Sequence, residues 1–275
     1  MRTTLFGLLV LAAAGCGPSA SLDRLQEARR TVREMEAELS TSIDTGQRAV
    51  MATDASVGDL AHESAAATDR MRDQSHALTS ALDALGYDRE ASEVSAFAHD
   101  LDAYRELNQR ILALALESTN VKAQRLSFDA AWTAADAVEK ALAALAGDDP
   151  ERRASAARAM AAVREMQALQ APHIAEPDDA AMTRLETRMD AAAARAAAAV
   201  ATLDRPGAED RKAAEGALER FLDVHREIVA LSRRNTNVQA LALSLSQRTR
   251  LAATCQSRLA DVQQALELRR LGGTR

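Results

Sequence analysis

The sequence predicts an all-α protein: an elongated antiparallel four-helix bundle built from two duplicated helical hairpins, with its helices interrupted near mid-bundle. Three observations predict it. Hydrophobic residues make up 47% of the chain but aromatic residues only 3%, so the apolar character comes from alanine and leucine, which suit close-packed helices. Turn-forming clusters divide the chain into four long helical segments, with no β-branched and aromatic runs to mark strands. Lastly, "STNVKAQRLS" at 118–127 returns as "NTNVQALALS" at 235–244.

The chain opens with Arg2, an apolar run from Leu5 to Ala14, and "AAGC" ending at Cys16. This is the layout of a bacterial lipoprotein signal: Gly15 is small enough for a peptidase cleft, and the Cys16 thiol takes the lipid before cleavage. Residues 1–15 are therefore expected to be a signal peptide, Cys16 the lipid-attachment residue and 16–20 a short tether. An ordinary secretory signal is the alternative. The run is about half the roughly 20 apolar residues a membrane span needs, and the later "AAAARAAAAVA" (191–201) is weakly hydrophobic and broken by Arg195.

From residue 21, punctuation at "LGYD" (85–88), "AGDDP" (146–150) and "DRPGAED" (204–210) sets the elements. Gly147 suits a helix C-terminus, and Pro150 the first turn of the next helix. Four segments result: 21–85 and 88–147 form a first hairpin (21–148), and 150–204 and 208–270 form a second (149–271). Together they make one bundle domain.

The doubled motif carries the duplication. Placing Asn237 on Asn120 also places Leu218 on Leu101, Phe221 on Tyr104, Ile228 on Ile111 and Leu231 on Leu114, with 10 identities in the 27 positions from Leu101 to Ser127. A heptad stripe then reads Leu107, Leu114, Val121, Phe128, Ala135, Leu142 in one copy and Val224, Leu231, Val238, Leu245, Ala252, Leu259 in the other. Flanking positions turn polar at Ser118 and Asn235. Counting out from the turns places "TDASVG" (53–58) opposite Thr119, and "PHIAEP" (172–177) opposite Thr236. Gly58, Pro172 and Pro177 are breakers, so both partners are expected to be interrupted at that level.

Two readings of this layer stand side by side. Its polar residues set helix register, or Asp54, Thr119, His173, Glu176, Asn235 and Thr236 line a small ligand cavity. The helical wheel points Asn120 and Asn237 away from the seam. A separate candidate metal site is Asp73 and His76, spaced i, i+3, with His99 facing them across the turn at Gly86; imidazole and carboxylate suit zinc or another transition metal.

Composition excludes much else. The net charge of −6, with both signs mixed along every segment, argues against nucleic acid as a partner. Cys16 and Cys255 are the only cysteines, so no disulfide framework or Cys-x-x-Cys motif exists. No phosphate-binding glycine loop, nucleophile elbow or paired Glu-x-x-His motif appears. The expectation is a non-enzyme that needs no cofactor.

The stretch "HREIVALSRRNTNVQALALSLSQR" (225–248) resembles the last helix of the four-helix-bundle sensor domains of bacterial methyl-accepting chemoreceptors, through its Ile-Val-x-Leu-Ser-Arg segment and the Ala-Leu-rich turns after it. The resemblance covers 225–270 and implies a periplasmic bundle, often dimeric, that binds small metabolites. The sequence lacks that family's second membrane span and cytoplasmic signalling hairpin. No ligand-contacting residue of the family maps onto this chain, and Arg233 and Arg234 read as surface arginines. The sequence thus leads one to expect a lipid-anchored envelope module facing the periplasm. Its expected partners are the membrane and an envelope protein or a second copy, and it has a possible small-molecule ligand. The alternatives are a structural spacer or a metal-binding bundle.

Overall fold

A computed structural model describes residues 18–203 and 208–272, and every regular element among them is helical. The signal sequence, Cys16 and most of the 204–210 turn lie outside the described residues. In chain order the elements are α1 (Pro18–Met51), α2 (Ser56–Ala84), α3 (Asp88–Glu117), α4 (Thr119–Phe128), α5 (Ala130–Ala146), α6 (Pro150–Ala175), α7 (Asp179–Ala201), α8 (Ala208–Arg234) and α9 (Thr236–Leu243). A π-helical turn (Ser244–Arg248) and α10 (Thr249–Gly272) follow. No described helix is long and apolar enough to cross a membrane.

Local chemistry explains the ends. Pro150 opens α6 with Asp149 as its cap, whose carboxylate accepts from the amides of Glu151 (2.9 Å) and Arg152 (3.0 Å). Gly86, at φ 68°, closes α2: the amide of Tyr87 bonds the Leu82 carbonyl and that of Gly86 the Asp83 carbonyl, an arrangement that needs a left-handed residue.

The described residues form two compact units. The first takes 18–43, 64–105 and 250–272. Its apolar core joins Val32, Met35 and Leu39 of α1, Met71, Leu78 and Leu82 of α2, Phe97, Leu101 and Tyr104 of α3, and Cys255, Leu259 and Leu266 of α10. Helices α1 and α2 run antiparallel, with Arg70 forking onto Glu38 (2.8 and 2.6 Å) and Ser64 Oγ donating to the Ser42 carbonyl (2.8 Å). Glu90, buried, takes a fork from Arg269 (2.8 and 3.0 Å), whose guanidinium lies 4.6 Å from the centre of the Tyr87 ring.

The second unit takes 44–63, 106–203 and 208–249. Its core draws on α5, α6, α7 and α8, with Val138 and Leu142, Val163 and Met166, Met189 and Val200, and Phe221 and Ile228 buried together. Here α6 and α7 run antiparallel: His173 meets Glu186, and eight residues back along α6, Glu165 meets Arg195, nine residues on along α7.

These registers correct the expected topology. The breaks at 52–55 and 176–178 do not interrupt straight helices; the chain reverses at each. Segments 21–85 and 150–204 are each a hairpin, while 88–147 and 208–270 are the long helical runs. Gly58 and Pro172 lie inside α2 and α6, each within about one turn of a reversal.

The heptad stripe also fails midway. Phe128 and Leu245, both assigned to it, are 61% and 64% exposed. Between Ile111 and Ala135 the buried positions step by four, through Ala115, Thr119, Ala123, Ser127 and Ala131. The second copy repeats this from Ile228 to Ala252, through Ser232, Thr236, Ala240, Ser244 and Arg248. A four-residue step in an α-helix advances roughly 40° beyond a full turn, so six steps would rotate the buried face about 240°. Irregularities absorb the mismatch. They fall at matching places, the left-handed residues Ser118 and Asn235, then Asp129 between α4 and α5 and the π-helical turn at 244–248.

Candidate functional site

The doubled motif lies in the second unit, and its two copies touch. Ser118 (φ 53°, ψ 41°) and Asn235 (φ 51°, ψ 34°) are left-handed non-glycine residues, a conformation that costs an L-residue about 1–2 kcal/mol. Each ends one helix and precedes the next, and neither side chain caps the helix it starts. The caps come from the other copy. The Thr119 amide donates to Thr236 Oγ1 (3.1 Å) and the Thr236 amide to Thr119 Oγ1 (3.2 Å), with the two hydroxyls 3.2 Å apart. Next to them the Asn120 amide donates to Asn237 Oδ1 and the Asn237 amide to Asn120 Oδ1, each at 3.1 Å. Two orphaned N–H groups at each helix start are thus satisfied across the pair.

The asparagine amides extend the layer to the turn between α6 and α7. Asn120 Nδ2 donates to the Ile174 carbonyl (2.7 Å) and Asn235 Oδ1 (2.8 Å), while Asn235 Nδ2 donates to the Glu176 carbonyl (3.0 Å). Asn120 is buried, contrary to the wheel, because the wheel assumes a helix unbroken at Ser118. Asn235, the neighbour of Thr236, meets the expected "PHIAEP" region at Glu176, whereas Thr53 lies by Arg125, whose Nη2 donates to its carbonyl (2.7 Å).

One turn away lies a charged cluster. Arg233 forks onto Glu186 (Nε to Oε1 2.6 Å, Nη2 to Oε2 2.8 Å) and donates to Thr183 Oγ1 (2.7 Å). His173, fully buried, bonds Glu186 Oε1 through Nε2 (2.8 Å) and Ser232 Oγ through Nδ1 (2.8 Å). The Arg233 guanidinium, helped by His173 and opposed by burial, holds the Glu186 carboxyl below the usual carboxylate range. Deeper in the unit, Ser127 Oγ donates to Gln170 Oε1 (2.7 Å), and Gln170 Nε2 donates to His225 Nδ1 (3.2 Å). Burial pushes the His225 pKa down, the neighbouring Asp190 opposing it.

The proposed cavity residues thus divide. Thr119, Thr236, Asn235 and the Glu176 carbonyl come together, but their polar groups are spent on one another. His173 sits in the adjoining cluster. Asp54 is exposed in the turn before α2, its Oδ1 accepting from the amide (2.9 Å) and hydroxyl (2.6 Å) of Ser56, which lower its pKa. The Glu176 carboxylate accepts from the Asp178 amide (3.0 Å). Asp73, His76 and His99 are all exposed, Asp73 beside Arg72. Among the described residues no three His, Cys, Asp or Glu side chains are placed to hold a metal ion, so these three do not gather as the spacing predicts.

No protein-family model matches this chain. Curated proteins give no match either.

Sequence reasoning missed Gln170, His225, Ser232 and Glu186, and treated Arg233 as a surface cation. One signal was available: Ser232 and His225 occupy the buried stripe at the positions of Ala115 and Asn108, so each departs from its counterpart 117 residues earlier.

Proposed function

We propose that this chain is a non-enzymatic helical module of the bacterial envelope, lipid-anchored through Cys16 and facing the periplasm, which acts by binding a small ligand or a protein partner. The observation that supports it best is the reciprocal capping of Thr119 and Thr236. Polar residues at the centre of the second unit are committed to pairing two long helical runs in one register, as a bundle that transmits or presents a shape requires. The resemblance of 225–270 to chemoreceptor sensor bundles favours sensing over a passive spacer. The matching irregularities support duplication, the ancestral unit being one hairpin followed by one long broken helix, with each compact unit a four-helix bundle of segments from both copies.

A thermal-shift screen of the purified chain against metabolites tests the reading. A ligand at 100 times its dissociation constant adds about 2.7 kcal/mol. Stabilisation by a small molecule supports a sensor-like module, and a chain unmoved by every compound is a spacer or a protein-binding module. Cys16→Ser moves the protein from the membrane fraction to the soluble periplasm if the anchor is correct; a wild type already soluble and free of lipid contradicts it.

A further inference from the structure

A cavity of about 200 Å³ opens between α7 and α8 in the second unit. Helix α7 lines it with Glu186, Met189 and Asp190, and α8 with His225, Arg226 and Val229. Most of its polar groups are taken. Arg233 and His173 occupy Glu186, and Arg226 pairs with Asp223 on its own helix. Two groups remain. His225 is 94% buried by its 6% exposure, and its Nδ1 is held by the Gln170 amide. Gln170 is oriented in turn by the Ser127 hydroxyl on its carbonyl oxygen, so Nδ1 is an acceptor and the ring proton sits on Nε2. Nothing among the described residues bonds Nε2. Asp190, on the rim, likewise makes no hydrogen bond or ion pair with a described residue.

From the N–H donor of a largely buried histidine and an exposed carboxylate without a hydrogen-bond partner, both lining one cavity, we infer a binding site for a small primary amine that carries a neutral oxygen acceptor, an amino alcohol or amino amide. The ammonium meets Asp190, the oxygen accepts from His225 Nε2–H, and the carbon chain lies against Met189 and Val229. Free carboxylates are disfavoured because Asp190 and Glu186 share the rim. The volume holds roughly six or seven water-sized groups, which limits the ligand to about that many heavy atoms. This site rests on the small-ligand reading proposed above and gives it a location and a chemistry.

The test is calorimetric titration of the purified chain with ethanolamine and glycinamide, beside ethylamine and acetate, while nuclear magnetic resonance follows the His225 ring. Expected are a dissociation constant of about 1 mM or tighter for an oxygen-bearing amine, saturable shifts at His225, and affinity at least about tenfold weaker for ethylamine. Asp190→Asn, an exposed change that leaves the fold intact by circular dichroism, weakens the amine by a similar factor because a charge-assisted hydrogen bond is lost. Acetate binding as tightly as ethanolamine, unchanged affinity in Asp190→Asn, or a His225 ring that no amine moves overturns the site. If another metabolite still stabilises the chain in the wider screen, the small-ligand reading stands and only this site falls.

Discussion

Replacing Thr119 by valine keeps the shape of a fully buried side chain and removes one hydroxyl. That hydroxyl accepts the Thr236 amide at 3.2 Å and lies 3.2 Å from the Thr236 hydroxyl, so the change strands an N–H group at the start of α9 and breaks the bond between the side chains. Losing a helix cap costs about 0.5–2 kcal/mol. Because a buried donor left unpaired costs about 1–3 kcal/mol, the expected loss lies in the upper part of the first range, about 1.5–2 kcal/mol. Thr236→Val removes the mirror-image bond and, by the same reasoning, costs about 1.5–2 kcal/mol. The double variant loses both caps but the hydroxyl pair only once, so it falls short of the summed singles by the net value of one hydrogen bond, about 0.5–1.5 kcal/mol.

Urea unfolding of the four proteins measures these differences as midpoint shifts at constant slope. Thr133→Val is the control: its hydroxyl donates to the Asp129 carbonyl within its own exposed turn (3.0 Å), and its loss should stay within about 0.5 kcal/mol. If either buried threonine behaves like Thr133, or the double variant equals the sum of the singles, reciprocal capping does not hold these helix starts together.

Three further outcomes follow from the described contacts. Burial lowers the His225 pKa, so the unfolded chain takes this proton more readily; its contribution is complete above the unfolded value near 6.5 and lost as pH falls through the folded pKa. The stability difference between wild type and His225→Asn, measured by urea unfolding from pH 8 to pH 5, should therefore shrink towards acid, and a constant difference contradicts the burial argument. Burial pushes the Cys255 thiol up to about 12, so iodoacetamide at pH 8 should leave it unmodified in the folded chain and label it once urea unfolds the protein, as read by mass spectrometry. Phe128→Ser and Leu245→Ser, at exposed positions of the expected stripe, should each change stability by no more than about 0.5 kcal/mol; a loss above about 2 kcal/mol at either would restore the heptad seam.

The all-helical class was readable because alanine and leucine dominate, and the turns at Gly86 and Asp149–Pro150 because their residues have few other uses. The pairing of Thr119 with Thr236 was readable in a different way. The alignment that set one on the other identified positions that meet in space, since duplicated segments that pack together meet at matching residues. The chain reversals were not readable. "TDAS" and "EPD" mark the loss of helix, and nothing local to such short breaks says whether the chain continues or turns back. That choice is made by distant pairs such as Glu38 with Arg70 and Glu165 with Arg195. The stripe was misread because four-residue spacing among small residues looks like a continued heptad until the left-handed residues are known, and serine or asparagine at such a place is not diagnostic. His225 and Gln170 gave no signal, since a lone histidine on a helix reads as solvated until its neighbours are placed.

The account rests on the claim that each helix start in the doubled motif is capped by the other. Hydrogen exchange of the Thr119 and Thr236 amides in the wild type and in Thr119→Val tests it most directly. Both amides begin helices, where N–H groups without a partner exchange freely, so both should be protected in the wild type. Thr119→Val should then accelerate exchange at Thr236, 117 residues away, while the Gln239 amide, bonded to the Asn235 carbonyl within its own helix start, keeps its protection. If the substitution speeds exchange only around residue 119 and leaves Thr236 as slow as before, the caps are not reciprocal and the doubled motif does not join the two helical runs.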